Sequence, residues 1–279
     1  MATTFFFIFL LLLSFFTLPS LSISDAFVYG GCSELKYVPN SPYESNLNSL
    51  LTSLVNSATY SSYNKYTITG SSPNDVVYGL FQCRGDLAMP DCATCVARSV
   101  SQIGSMCPHT AGAAIQLEGC FVKYDNISFI GVEDKSVVLH KCAPSIGYDT
   151  NLMNRRDAVL GSLGGSGTGP FRVSGSGDVQ GMAQCVQDLS TGECQDCLKE
   201  AIGRLKSDCG GAVYGDMFLA KCYARYSTSG ARAYTKSNHG NSHSDGEKTF
   251  AIIIGLLAGV ALVIIFLTFL KKVFGGQGK

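Results

Sequence analysis

Cys83–Cys95 reads CRGDLAMPDCATC, and Cys185–Cys197 reads CVQDLSTGECQDC. Both stretches have the spacing C-x8-C-x2-C and carry Asp-Leu at the same offset, as Asp86-Leu87 and Asp188-Leu189, 102 positions apart. Gly79 and Gly181 extend the match, each four positions before the first cysteine. Working outward, the 12 cysteines fall into two sets of six. The first is Cys32, Cys83, Cys92, Cys95, Cys107 and Cys120; the second is Cys142, Cys185, Cys194, Cys197, Cys209 and Cys222. After the second cysteine of each set the steps are 9, 3, 12 and 13 in both; only the first step differs, 51 against 43. The length change therefore precedes the shared motif. Such a repeat predicts two homologous modules of about 100 residues each, bounded at 25–128 and 129–228.

Within a module the pattern is mixed. SPYESNLNSLLTSL opens a helix: Ser41 can cap it, Pro42 suits the first turn and Glu44 completes a capping box. Leu47, Leu50, Leu51 and Leu54 then form an i, i+3, i+4, i+7 stripe. The matching helix, near Asn151 to Leu160, is less regular. Cys95–Cys107 places Val96, Val100 and Ile103 on one helical face, and Cys197–Cys209 repeats this with Leu198, Ile202 and Leu205. AAIQLEGCFVKY and DMFLAKCYARY alternate apolar and polar residues and read as strands. The expected class is α+β: in each module two helices packed with a small antiparallel sheet. GSLGGSGTGP (Gly161–Pro170) reads as a flexible loop. The polar run from Tyr226, YSTSGARAYTKSNHGNSHSDGEKT, has too few aliphatic residues to bury a core and is read as a stalk, its juxtamembrane part at 229–249.

The two ends are apolar. Phe5–Phe16, followed by small residues at Ser22 and Ser24, predicts a secretory signal peptide over 1–24. Phe250–Leu270 runs without a charge, and its 21 residues match a bilayer core of about 30 Å. Lys271 and Lys272 follow at once, the positive-inside arrangement. The expected protein is thus single-pass with its N-terminus outside, a transmembrane helix at 250–270 and a short tail at 271–279, leaving no room for an intracellular catalytic domain. Gly255 and Gly259 form a G-x-x-x-G that permits close helix approach in the membrane.

The motifs point to binding, not catalysis. Formal net charge is zero and charged residues are 15% of the chain, which gives no case for nucleic acid. C-x2-C suits a zinc site, but the oxidising secretory route favours disulfides, and six cysteines allow fifteen connectivities. Arg84-Gly85-Asp86 is an adhesion tripeptide whose counterpart is Val-Gln-Asp, so only the aspartate repeats. Asn126-Ile-Ser128 is the one glycosylation sequon. His109, His140, His239 and His243 are scattered, and no nucleophile–base set, metal site or cofactor motif is present.

The paired C-x8-C-x2-C modules resemble the ginkbilobin-type, salt-stress/antifungal cysteine-rich domain of land plants. Two such modules with a signal peptide, one span and a short tail resemble the plasmodesmata-located proteins; FVYGGC (Phe27–Cys32) also fits. Cysteine-rich receptor-like kinases share the outer part but carry a kinase after the span. The resemblance implies the pairs Cys32–Cys107, Cys83–Cys92 and Cys95–Cys120, then Cys142–Cys209, Cys185–Cys194 and Cys197–Cys222. Single-module relatives bind mannose through an Asn, an Arg and a Glu. Here those positions are Ser33, Ala114 and Asp125, and in the second module Ala143, Asp216 and Ser227, so lectin activity is not inherited. The implied function is non-enzymatic, at the plasma membrane of plasmodesmata: control of cell-to-cell passage, promotion of callose deposition, links to defence and docking of viral movement proteins. Receptor-like kinases are further protein partners, in homo- or hetero-oligomers. The alternative is a wall-carbohydrate binder or co-receptor using other residues, among them the tyrosines at Tyr60, Tyr63 and Tyr66, which equally suit core or strand positions.

Overall fold

Ser41 starts the first helix, α1 (Pro42–Ser57), by accepting the Glu44 N–H. Glu44 does not return the bond to Ser41. Its carboxylate accepts the N–H of Asn40, which sits at φ 61°, so the expected capping box is replaced by a clasp one residue earlier. Leu47, Leu50 and Leu54 are buried and Leu51 packs against the same core. In the computed structural model the described residues are 25–145, 147, 149–165 and 169–228.

The first module has five strands, β1 (Phe27–Cys32), β2 (Tyr63–Ile68), β3 (Val77–Cys83), β4 (Gly112–Leu117) and β5 (Cys120–Asp125), with α2 (Met89–Met106) between β3 and β4. They form one antiparallel sheet in the order β1-β4-β5-β3-β2. The second module repeats this with β6 (Val137–Cys142), α3 (Thr150–Leu163), β7 (Phe171–Ser176), β8 (Val179–Cys185), α4 (Thr191–Asp208), β9 (Tyr214–Leu219) and β10 (Cys222–Thr228), in the order β6-β9-β10-β8-β7. The helices cover one face of each sheet. Val77, Phe81 and Cys83 of β3 point into that core, while Leu80 belongs to a separate cluster on the other face, as the period of two in a strand requires.

Three expectations change. The helix near Asn151 spans Thr150–Leu163, capped by the Asp149 carboxylate on the Asn151 and Leu152 N–H groups, so Gly161–Leu163 are helical, not loop. Tyr226–Thr228 are the end of β10, with Tyr226 wholly buried, not stalk. Beyond the two strand hairpins expected, each sheet gains three further strands. The capping box that fails at Ser41 is made at Ser190 and Glu193 on α4.

Candidate functional site

Six disulfides close among the described residues: Cys32–Cys107, Cys83–Cys92, Cys95–Cys120, Cys142–Cys209, Cys185–Cys194 and Cys197–Cys222. In each module one joins the edge strand to the end of the second helix, and two tie that helix to the sheet's inner strands. No described cysteine is free. His140 lies beside one bridge, its Nε2 3.0 Å from Cys142 Sγ. His140, Cys142 and Cys209 have the spacing of a metal-ligand set, but both sulfurs are bonded to each other and neither is a thiolate.

The faces of the sheets that carry no helix meet. Leu80 and Phe121 of the first module bury Val186 of the second, with Tyr63, Ala114, Phe129 and Ile130 around them. The Tyr29 ring stands edge-on to Phe218 with centroids 5.6 Å apart. Polar groups lock the register: Gln184 Nε2 donates to the Cys83 carbonyl at 2.9 Å, and the Gln187 N–H donates to Gln82 Oε1 at 3.1 Å. The Arg225 guanidinium donates to Asp216 on its own sheet at 2.8 Å and to Glu118 across the junction at 3.0 Å. Charges removed from water in this way hold only when hydrogen-bonded on every side.

The segment between the modules is fastened in the same place. Lys221 Nζ donates to the Asp188 carboxylate and, at 2.9 Å, to the Phe129 carbonyl, while the Gly131 N–H donates to Asp188 at 2.9 Å. Burial pulls the Lys221 ammonium below the usual lysine range, against the opposing pull of Asp188. Burial, followed by the charge of Asp188, holds the Tyr63 phenol well above its usual range. Sequence reasoning missed Lys221, Glu118 and Arg225. The repeated Asp-Leu was a signal for Asp188, although its twin Asp86 pairs locally with Arg84.

That local pairing disposes of the adhesion tripeptide. Arg84 Nε donates to Asp86 at 2.6 Å and Arg84 also donates to the Glu118 carbonyl at 3.0 Å, while Gly85 lies against the Phe171 side chain. The charged side chains of the tripeptide are thus engaged with each other and with the Glu118 carbonyl, and its glycine abuts the second module. The mannose positions are likewise altered. Ala114 packs at the junction, Asp216 is held by Arg225, and Ala143 and Ser227 are buried. Ser33 and Asp125 turn their side-chain oxygens to the backbone N–H groups of Leu35 and Ile127.

Cavities are few. The junction encloses about 20 Å³ between Gln82, Gln184, Tyr29 and Phe218, room for about one water. A cleft of about 290 Å³ lies beside Pro170, Arg172, Gln187 and Thr191. Arg172 there donates inward to the Leu163 and Gly165 carbonyls at 2.8 and 2.7 Å, so it braces the loop. Asn126 follows β5 in a bend, half-buried, with Ile127 and Ser128 exposed. Among the described residues no helix is long and apolar enough to cross a membrane. The expected signal peptide at 1–24, the stalk at 229–249, the span at 250–270 with Gly255 and Gly259, and the tail lie outside the described residues.

Two tandem six-cysteine modules joined face to face narrow the family, and sequence comparison decides it. The salt stress response/antifungal family matches residues 31–127 and 140–229. Plasmodesmata-located protein 7 of Arabidopsis thaliana is 67% identical over 266 residues, covering 94% of this chain and 89% of the relative. The chain belongs to the plasmodesmata-located protein family. Plasmodesmata-located protein 6 of the same plant is 58% identical, covering 89% of this chain and 88% of the relative. The crystal structure of the tandem DUF26 ectodomain of the Arabidopsis cysteine-rich receptor-like protein PDLP5 superposes with a TM-score of 0.70 at 47% identity. It covers 73% of this chain and 100% of that one. The corresponding PDLP8 ectodomain gives 0.71 at 46% identity, covering 74% and 100%. The two-module architecture described above is thus shared with experimentally solved family members.

Proposed function

We propose that this plasmodesmata-located family member is a non-enzymatic, single-pass membrane protein that acts at plasmodesmata to modulate cell-to-cell trafficking. The observation that carries the reading is the identity of 67% and 58% with relatives named for that location, over nearly the whole of each chain. The apolar stretch at 250–270 and Lys271-Lys272 support an anchor with the modules outside. The disulfides and the sequon at Asn126 suit that oxidising, glycosylating route. Gly255 and Gly259 in the span and the modules outside supply the surfaces for lateral association with protein partners. Callose-linked permeability, defence signalling and docking of viral movement proteins or receptor-like kinases are the finer roles proposed.

The test is imaging of a C-terminal fluorescent fusion in leaf epidermis, with callose stained in the same cells. Paired puncta across shared walls, coincident with callose, are expected. An even outline of the plasma membrane overturns the reading.

A further inference from the structure

The two modules are one scaffold used twice, so a feature present in one and absent from the other is not required by the scaffold. The turn between α1 and β2 is such a feature. Tyr60 there is 70% exposed. Asn64 Nδ2 donates to the Tyr66 hydroxyl at 3.1 Å, and the Tyr60 hydroxyl lies within electrostatic reach of that same group. The backbone beneath is ordered: the Tyr60 and Ser61 N–H groups donate to the Ser57 carbonyl at 3.2 and 3.0 Å, and the Cys83 N–H to Ser62 at 2.7 Å. Asn56 and Thr59, also exposed, precede Tyr60 in the chain, and α1 exposes Asn48, Ser49 and Thr52 and carries no charged side chain after Glu44. Lys65 is exposed, but strand alternation sends it to the opposite face of β2.

The second module lacks these side chains. Pairing with β8 places Phe171, Arg172 and Ser174 where pairing with β3 places Tyr63, Asn64 and Tyr66. Of the three sequence tyrosines, Tyr63 is taken up by the module junction and Tyr66 packs against the first core, which leaves Tyr60 as the presented ring.

A tyrosine ring on an ordered turn, bordered by amide and hydroxyl groups and free of charge, matches the flat C–H face and hydroxyl rim of a neutral sugar polymer. The ring supplies contact area at small cost in rotamer entropy, and the amides and hydroxyls fix orientation. We propose that Tyr60, Asn64 and Tyr66 form a docking site for a neutral, flat-faced β-glucan. The site lies at the β2 edge of the sheet, away from the mannose positions near β1 and β4, and does not depend on the plasmodesmal reading.

The test uses the disulfide-bonded ectodomain, residues 25–228, which holds all 12 cysteines and both cores and matches the span over which relatives were crystallised. Cellohexaose and laminarihexaose are titrated by saturation-transfer NMR, with hexameric oligogalacturonate as the acidic comparison. Saturable binding of at least one glucan is expected, weakened about tenfold by Tyr60→Ala and changed less than about twofold by Lys65→Ala, each with an unaltered melting temperature. The proposal is overturned if neither glucan binds up to about 10 mM, if Tyr60→Ala binds as the parent does, or if the oligogalacturonate binds as well as the glucans. Puncta formed by a Tyr60→Ala fusion report on the plasmodesmal reading alone, so the two failures are distinguishable.

Discussion

Tyrosines carry the clearest electrostatic signature at the residue scale. Burial raises the phenols of Tyr29, Tyr43, Tyr63 and Tyr223 well above their usual range. A group whose folded pKa is raised stabilises the fold below its unfolded value of about 10 and withdraws that stability as pH climbs past it. Lys221, with its pKa lowered, acts in the opposite sense just below the lysine range, but it is one group against four. The midpoint of urea unfolding is therefore expected to hold to about pH 9 and fall steeply between about pH 10 and 11, with part of the phenolate absorbance appearing only on unfolding. A midpoint flat across that range contradicts the assignment. Which tyrosines are buried was not legible from spacing. Tyr60, Tyr63 and Tyr66 recur every three residues, yet the junction, the core and the solvent take one each.

The helices were legible at the scale of elements because each buries a single stripe. Val96 and Ile103 are buried on α2 and Leu198, Ile202 and Leu205 on α4, the positions the 3.6-residue period marks. The strands β3 and β8 were not legible. Helices cover one of their faces and the partner module covers the other, so nearly every residue is buried and the alternation that signals a strand disappears. The repeated glycines have their explanation here. A Cβ on Gly79 would sit 2.4 Å from Leu50 Cδ2, and one on Gly181 would sit 2.8 Å from Val159 and 3.0 Å from the Arg225 carbonyl. The first helix of each module thus lies directly on the glycine of the inner strand. Because the Arg225 carbonyl is backbone and cannot swing away, Gly181→Ala is expected to cost about 1–3 kcal/mol in a denaturant titration. A cost below about 0.5 kcal/mol contradicts the close approach.

At the scale of the molecule the modules are coupled through a buried junction, so the ectodomain is expected to unfold in one calorimetric transition. Val186→Asp places a carboxylate against Leu80 and Phe121 with no cation assigned to it, a burial that costs several kcal/mol unless the modules part. The expected result is two separated transitions with all six disulfides intact; one transition at the parent temperature refutes the coupling. By itself the sequence determined the duplication, the α+β class, the helices and the family, because cysteine spacing and helical period are local patterns written along the chain. Only the tertiary structure decided that the bare sheet faces meet, that Arg225 reaches Glu118 and Lys221 reaches Phe129, and that Arg84 of the adhesion tripeptide is held by the Glu118 carbonyl. The partners in those contacts stand from 34 to 107 positions apart, and one module's surface is the other's core. No periodicity along a chain records which of two similar faces loses its water.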